Sequence, residues 1–192
     1  MNAITRTQRF AQGFAQRTAQ RGVTIVEQAV VLGIVSTVLG TVIPSFQGTR
    51  DRLAMEGTAG QLESELQWAR SEAVARNEAV RFSFEPSANG NGSCYVIHTG
   101  GPRDCRCADG AAPVCTPGVK ALRSWQPAAD ARSSITSNST SFAFNPMLGT
   151  VTPTATLEVR NPRGDVVRLV VNIMGRVRSC APGAAVTGLV RC

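Results

Sequence analysis

The chain has 192 residues and a formal net charge of +7, and residues 1–22 contain four arginines and no acid. Removing those four charges leaves +3 for the rest of the chain, so the basic balance does not by itself indicate a nucleic-acid-binding protein. The length allows one globular domain and one anchor helix.

An apolar segment with a single charge follows this basic start. It covers residues 23–46, and Glu27 is the only charged residue between positions 23 and 49. The segment is long enough to span a bilayer with some tilt. A carboxylate inside such a helix costs about 2.5–3.5 kcal/mol, so we expect Glu27 to have a partner and a function. The simpler alternatives are a plain single-pass anchor and a glutamate that reaches the membrane interface.

The charges on either side of this segment predict its orientation. Basic residues precede it and a long domain follows it, which favours a cytoplasmic N-terminus and an exported C-terminal domain. All six cysteines lie in that domain, and their number fits an oxidising compartment.

Residues 50–77 have the periodicity of an amphipathic helix. Apolar side chains recur at spacings of three and four and form one stripe, which comprises Met55, Ala59, Leu62, Leu66, Ala69 and Ala73. Asn77 provides an end signal. The sequence therefore predicts one long helix whose second half packs on a globular domain.

From residue 78 the apolar period changes to two. Val80, Phe82 and Phe84 alternate with polar residues, and further strands are predicted at residues 94–98, 119–125, 141–145, 155–160 and 165–173. Residues 161–164 (NPRG) are expected to form a hairpin turn, and residues 100–118 a loop held by disulfides. A helix followed by short strands predicts an α+β fold, with the long helix packed on an antiparallel β-sheet domain.

Three motifs resemble the FimT/GspH family of type IV minor pilins and type II secretion pseudopilins. Residues 22–27 (GVTIVE) are similar to the class III signal of pilins, residues 69–77 (ARSEAVARN) resemble the family's helix end, and residues 170–178 (VVNIMGRVR) resemble its last hairpin. The resemblance implies a pilin-like fold, cleavage by a prepilin peptidase between Gly22 and Val23, methylation of the new terminus, and a role for Glu27 in assembly. The new amine and the Glu27 carboxylate would be complementary charges in a filament core, where neither is tolerated unpaired.

The same resemblance implies four segments and a location. These are a leader over residues 1–22, a transmembrane and filament-core helix over residues 23–49, the second half of the helix over residues 50–78, and a β-rich globular domain over residues 79–192. The protein would lie in the inner membrane with a periplasmic globular domain and would join a pilus. The expected partners are other pilin subunits, the prepilin peptidase and the inner membrane.

The C-terminal segment 160–192 concentrates basic charge. Six arginines face one aspartate there, a formal +5; they are Arg160, Arg163, Arg168, Arg176, Arg178 and Arg191. Arg176 and Arg178 alternate around Val177 and would share one face of a strand, and Gly175 permits a sharp turn. Guanidinium groups donate paired hydrogen bonds to phosphate. The alternative is a solvated basic face that pairs with acids of its own domain or of a neighbouring pilin.

The family resemblance associates this Gly-Arg-x-Arg element with DNA binding during uptake, or natural transformation. No aromatic residue lies within residues 160–192, which favours contacts with the duplex backbone over stacking on bases. We therefore expect weak, non-specific binding of double-stranded DNA.

The cysteines predict disulfides. Cys180 and Cys192 are expected to pair, which would stabilise the fold by about 3 kcal/mol. Four others lie in the loop region: Cys94, Cys105, Cys107 and Cys115. A bond between Cys105 and Cys107 is sterically awkward, which leaves 94–105 with 107–115, or 94–107 with 105–115. A zinc site competes, but the spacing is not of the C-x2-C type and the cluster contains no histidine.

No nucleophile elbow, paired-carboxylate motif, P-loop or dinucleotide fingerprint is present. His98 is the sole histidine and ends a predicted strand, so we expect it to be structural. The sequence thus predicts a DNA-binding minor pilin that is not an enzyme and needs no cofactor or metal. The alternatives are a type II secretion pseudopilin and a minor pilin that only initiates filament assembly.

Overall fold

The computed structural model describes residues 22–86, 92–108, 112–128, 130–183, 186 and 188–192, without the side chains of residues 41–45. The chain divides into two compact units, Met1–Ile43 and Pro44–Cys192. Helix α1 runs over Ile25–Arg76, so residues of both units belong to it.

In the first unit, Thr24 caps the start of α1. The Glu27 amide donates to Thr24 Oγ1 at 3.3 Å, which satisfies one of the free amides of the first turn. Glu27 is exposed in that turn, where a negative charge interacts favourably with the helix dipole. Gly22 and Val23 precede the helix, and the rest of the predicted leader lies outside the described residues.

Within the described residues, no helical segment combines the length and the apolar character that a membrane span requires. The span predicted over residues 23–46 is therefore not confirmed.

Eleven strands follow α1 among the described residues. They are β1 (Val80–Pro86), β2 (Ser93–Thr99), β3 (Cys105–Arg106), β4 (Val114–Cys115), β5 (Ala121–Trp125), β6 (Ser134–Ser137), β7 (Ser141–Phe144), β8 (Val151–Thr152), β9 (Ala155–Arg160), β10 (Val166–Val171) and β11 (Val177–Cys180). The six predicted strands correspond to β1, β2, β5, β7, β9 and β10, with ends shifted by at most two residues. The short strands β3, β4, β6 and β8 were not predicted. Strand β11 corresponds to the strand that was expected to carry Arg176 and Arg178, and it begins at Val177.

All strand pairs are antiparallel. One sheet has the order β5-β2-β1-β7-β8, a second has the order β11-β10-β9-β6, and β3 pairs with β4 alone. The predicted α+β fold with an antiparallel β-sheet domain is confirmed.

The core of the second unit lies between the helix stripe and both sheets. All six predicted stripe residues are buried. They meet the aromatic side chains Phe82, Phe84, Tyr95, Phe142 and Phe144 of the first sheet and the aliphatic side chains Leu157, Val159, Val167, Leu169 and Val171 of the second. Each fully buried large side chain contributes about 1.5–3 kcal/mol, so this shared core fixes the C-terminal half of α1 against the sheets.

The end of α1 follows its sequence signal. Asn77 has a positive φ of 51°, its amide donates to the Val74 carbonyl, and the Glu78 amide donates to the Ala73 carbonyl. These are the two hydrogen bonds of a Schellman motif. The helix therefore stops at Arg76 and the chain turns into β1.

Two polar residues inside this core are satisfied structurally. Glu65, which lies outside the apolar stripe of the helix, is buried and accepts a hydrogen bond of 2.7 Å from the Tyr95 hydroxyl. Burial and this hydrogen bond raise the pKa of Tyr95 well above its usual range. His98 is fully buried, with Nε2 2.9 Å from Ser83 Oγ and Nδ1 3.1 Å from the Thr99 carbonyl oxygen. These partners give His98 the structural role expected from the sequence.

All six cysteines form disulfides. The bonds are Cys94–Cys107, Cys105–Cys115 and Cys180–Cys192. The last is the predicted pair, and the first two are one of the alternatives that the sequence left open. Among the described residues, the one side-chain group with the spacing of a metal site is Glu85 with Cys94 and Cys107. Because these two sulfurs bond each other, they are not available as thiolate ligands.

Candidate nucleic-acid interface

The hairpin turn between β10 and β11 carries the Gly-Arg-Val-Arg element. The Asn172 amide donates to the Arg176 carbonyl at 3.1 Å, and the Arg176 amide donates to the Asn172 side-chain oxygen at 2.9 Å. Arg176 was expected to lie in a strand with Arg178. It lies instead at the end of the turn, where its amide donates to a side chain of the turn. Arg178 follows within β11, opposite Val170 of β10. Both arginine side chains are exposed.

Gly175 suits this turn for both conformational and steric reasons. Its φ of +71° lies in the left-handed region that favours glycine. A Cβ at this position would lie 2.2 Å from the Gly149 carbonyl oxygen and 3.0 Å from Arg70 Nε. The turn between β7 and β8 therefore packs directly against the turn between β10 and β11.

Arg70 of α1 joins the helix to these turns. Its Nε donates to the Gly149 carbonyl oxygen at 3.1 Å, and the Val151 amide donates to the Ile173 carbonyl at 2.9 Å, so the two turns lie side by side. Arg70 was not predicted as a site residue, because helical periodicity only places it outside the apolar stripe. Its position within the family's helix-end motif was the available signal.

A groove of about 750 Å³ lies between α1 and the two turns. Its lining includes Arg70 and Val74 from the helix, Met147 and Leu148 from one turn, and Arg176 from the other. Two lining residues are arginines and none is acidic. We call this site the arginine groove. A concave, cationic surface without a carboxylate suits an anionic ligand.

Two other predicted arginines pair with one carboxylate of their own sheet. Arg168 donates to Glu158 Oε1 from Nε at 3.1 Å and from Nη2 at 2.8 Å, and Arg160 Nη2 donates to Glu158 Oε2 at 2.5 Å. Hydrogen bonds from Arg168 and then from Arg160 hold the pKa of Glu158 below its usual range. Arg160 and Arg168 therefore pair with an acid of their own domain, which was the alternative to phosphate binding that the sequence left open.

Glu158 was missed because it precedes the basic segment by two residues. Its alternation with Arg160 on β9 places both side chains on one face of the strand, which was the available signal. The C-terminal segment 160–192 therefore presents fewer unpaired arginines than its composition suggests.

Arg163 lies far from the arginine groove. It belongs to the turn before β10, and its guanidinium rests on α1, where a Cβ at Gly48 would lie 1.7 Å from Arg163 Nη1. Arg176 follows the opposite end of β10. Six strand residues, about 20 Å, therefore separate the two arginines.

Arg191 is also held away from the groove. It pairs with Ala181, which follows the last residue of β11. The bond between Cys180 and Cys192 thus fixes the tail at the far end of β11 from Arg176. Arg191 therefore lies beside the end of the β10–β11 hairpin and not beside its turn.

A long helix packed on antiparallel sheets, with a glycine-arginine turn held against the helix, defines a pilin-like α+β protein. The chain belongs to the family described as type II transport protein GspH, whose profile matches residues 58–175. It is therefore a member of the minor pilins and pseudopilins of type IV pili or type II secretion. The match ends at Gly175, so the role of Arg176 and Arg178 depends on this chain's own geometry.

Two crystal structures of the type IV minor pilin FimU from Pseudomonas aeruginosa (strain PAO1) are similar to this chain. One has a TM-score of 0.45 and 19% identity, covering 66% of this chain and 96% of that one. The other has a TM-score of 0.45 and 20% identity, covering 66% and 88%. No curated protein matches the chain.

Proposed function

We propose that this protein is a minor type IV pilin that binds double-stranded DNA through Arg176 and Arg178 and contributes to DNA uptake. One observation carries the proposal. Both side chains are exposed, and among the described residues neither forms an ion pair, whereas Arg160 and Arg168 share Glu158. Exposed cations without a carboxylate partner are free to replace the counterions of a phosphate backbone.

The surrounding geometry supports contact with the backbone of a duplex. Two hydrogen bonds with Asn172, one of them to its side-chain oxygen, hold the backbone of Arg176, and β11 holds Arg178 two residues further on. Arg70 adds a third guanidinium on the helix side of the groove. Two or three phosphate contacts predict weak, salt-sensitive binding that does not read the bases directly.

A gel shift with a short duplex tests this proposal. The full-length protein, kept soluble by a non-ionic amphipol, is titrated at about 50 mM and about 200 mM salt. We expect Arg176→Ala combined with Arg178→Ala to weaken binding by about tenfold at low salt and to lower the salt slope by about 2.

The matched control removes the same charge elsewhere. Arg103 and Arg106 are exposed, and Arg103→Ala combined with Arg106→Ala should change affinity far less. Equal binding by the wild type and the Arg176/Arg178 variant would exclude the DNA site. Equal losses in both double variants would show that net charge, and not this turn, governs binding.

The proposal includes the N-terminal processing and assembly expected from the sequence. A prepilin peptidase would cleave after Gly22, and Glu27 would pair with a released amine when the subunit joins a filament in the inner membrane. The observed position of Glu27 in the first helical turn is compatible with this role. Intact-mass measurement of the native protein should show loss of residues 1–22, and Glu27→Ala should reduce incorporation into pili. An intact leader would contradict this part.

The family description favours a second candidate, a pseudopilin of a type II secretion system. The two functions differ in their cellular consequence. Deleting the gene should abolish DNA uptake and spare protein export if the first is correct, and the reverse if the second is correct.

A further inference from the structure

The two turns beside the arginine groove expose an unusual amount of apolar surface. Met147 and Leu148 are 82% and 74% exposed, and Ile173 and Met174 are each 62% exposed. Among the described residues after α1, these are four of the seven large hydrophobic side chains that are exposed. Exposed apolar side chains gathered in one place usually mark an interaction surface.

The four apolar side chains lie at the same end of the domain as the guanidinium groups of Arg70 and Arg176. Met147 and Leu148 line the arginine groove together with Arg70 and Arg176. Met174 stands two residues before Arg176, in the same turn. The hydrogen bond between the Val151 amide and the Ile173 carbonyl, and the close approach of the turns at Gly175, hold both tips at one end of the domain.

We propose that these apolar tips enter the minor groove of the bound duplex and partly unstack a flexible base step while the arginines hold the flanking phosphates. This inference rests on the proposed function and specifies how the protein contacts the duplex. Methionine, leucine and isoleucine are among the side chains that proteins use as wedges between base steps. The unbranched, adaptable methionine side chain fits an irregular gap.

Charge and composition favour DNA over other partners of an apolar surface. The groove lining contains two arginines and no carboxylate, so the surface beside the apolar tips complements a polyanion. No aromatic residue lies within residues 160–192, so this part of the site is poorly suited to stacking extruded bases. Insertion of aliphatic side chains needs only a step that opens easily, and pyrimidine–purine steps such as TA are the most deformable.

The mode predicts a preference for flexible over stiff duplexes. Two duplexes of equal length are compared, one with central TA steps and one with a central A-tract, each carrying 2-aminopurine, whose fluorescence rises when its base unstacks. The full-length wild type in a non-ionic amphipol should bind the flexible duplex about five- to tenfold more tightly, with a rise in fluorescence on that duplex alone.

The test variant changes one residue of each tip. Met147→Ser combined with Met174→Ser should abolish both the preference and the fluorescence rise while leaving the salt slope unchanged, because all phosphate-binding groups remain. The matched control is Val114→Ser combined with Val190→Ser, since these side chains are 65% and 73% exposed away from the turns. It should behave as the wild type.

Each other outcome overturns the inference in a recognisable way. If the wild type binds both duplexes equally without a fluorescence rise, the wedge is excluded while DNA binding by the arginines stands. If the wild type does not bind duplex DNA at all, the proposed function fails and the wedge with it. If the serine variant keeps its DNA preference but loses binding to vesicles containing phosphatidylserine, the apolar tips contact lipid and not DNA.

Discussion

Replacing Gly175 by alanine should damage the arginine groove in a way that the same change at Gly164 does not. Both glycines have a positive φ, +71° and +88°. A Cβ at Gly164 would meet nothing within 4 Å, whereas a Cβ at Gly175 would lie 2.2 Å from the carbonyl oxygen of Gly149. That oxygen belongs to the backbone, so it moves only if the neighbouring turn moves.

The expected magnitudes follow from this difference. An L side chain in the left-handed region costs about 1–2 kcal/mol, and this cost applies at both positions. Forcing a methyl group into a packed site adds about 1–3 kcal/mol, and this cost applies only at Gly175. We therefore expect Gly164→Ala to lower the free energy of unfolding by about 1–2 kcal/mol, and Gly175→Ala by about 2–5 kcal/mol.

Urea unfolding followed by tryptophan fluorescence measures both effects. The two tryptophans, Trp68 and Trp125, pack against the core of the second unit, so the signal reports that unit with its disulfides intact. Gly175→Ala should also weaken DNA binding, because the strain falls on Arg70 and the Arg176 turn. Equal destabilisation by the two substitutions would refute the steric argument.

Three further changes test other contacts. Glu158→Gln should destabilise the fold by about 1 kcal/mol at neutral pH. Because the folded-state pKa of Glu158 is lowered, this difference should be complete above the usual value of 4.5 and vanish as the pH falls through the lowered value; a urea-midpoint difference that persists in acid would contradict it. Burial lowers the pKa of His98, so the wild type should lose stability as the pH falls below the usual value of 6.5, where the unfolded chain binds a proton that the folded chain does not. His98→Gln should flatten this dependence in urea midpoints, and an unchanged slope would exclude His98 as its cause. Cys180→Ser combined with Cys192→Ser should cost about 3 kcal/mol in the same assay and leave DNA affinity unchanged; reduced affinity of the folded variant would contradict the placement of the tail.

The elements predicted from the sequence are those with a strong period. The helix stripe repeats over five turns, and each of its residues is buried. The strands β1 and β9 alternate apolar and polar residues over six positions. Long periodic segments leave one solution for burying their apolar face, so local sequence determines them.

The missed strands lack such a period. Strand β6 contains one apolar residue, Ile135, in a run of serines and threonines. Strands β3 and β4 have two residues each and are paired where Cys105 bonds Cys115. Their existence depends on a disulfide partner and a neighbouring strand, and neither can be located from local pattern alone.

The candidate site was only partly predictable for the same reason. A linear motif identified Gly175, Arg176 and Arg178. The contribution of Arg70 depends on contact between segments distant in the chain, and the pairing of Arg168 with Glu158 depends on strand register. Composition gives the number of charges but does not show which of them pair with a carboxylate of the same domain.

The hydrogen bond from Arg70 to Gly149 joins residues that are 79 positions apart. The arginine groove is consequently a discontinuous surface, built from one helix and two turns that meet only in the folded chain. A synthetic peptide with the sequence of residues 166–180 would contain both hairpin arginines but neither the helix cation nor the opposing turn, so it would reproduce the motif without the concave site. Antibodies raised against such a peptide would recognise the linear segment and give a poor measure of whether the native groove is intact.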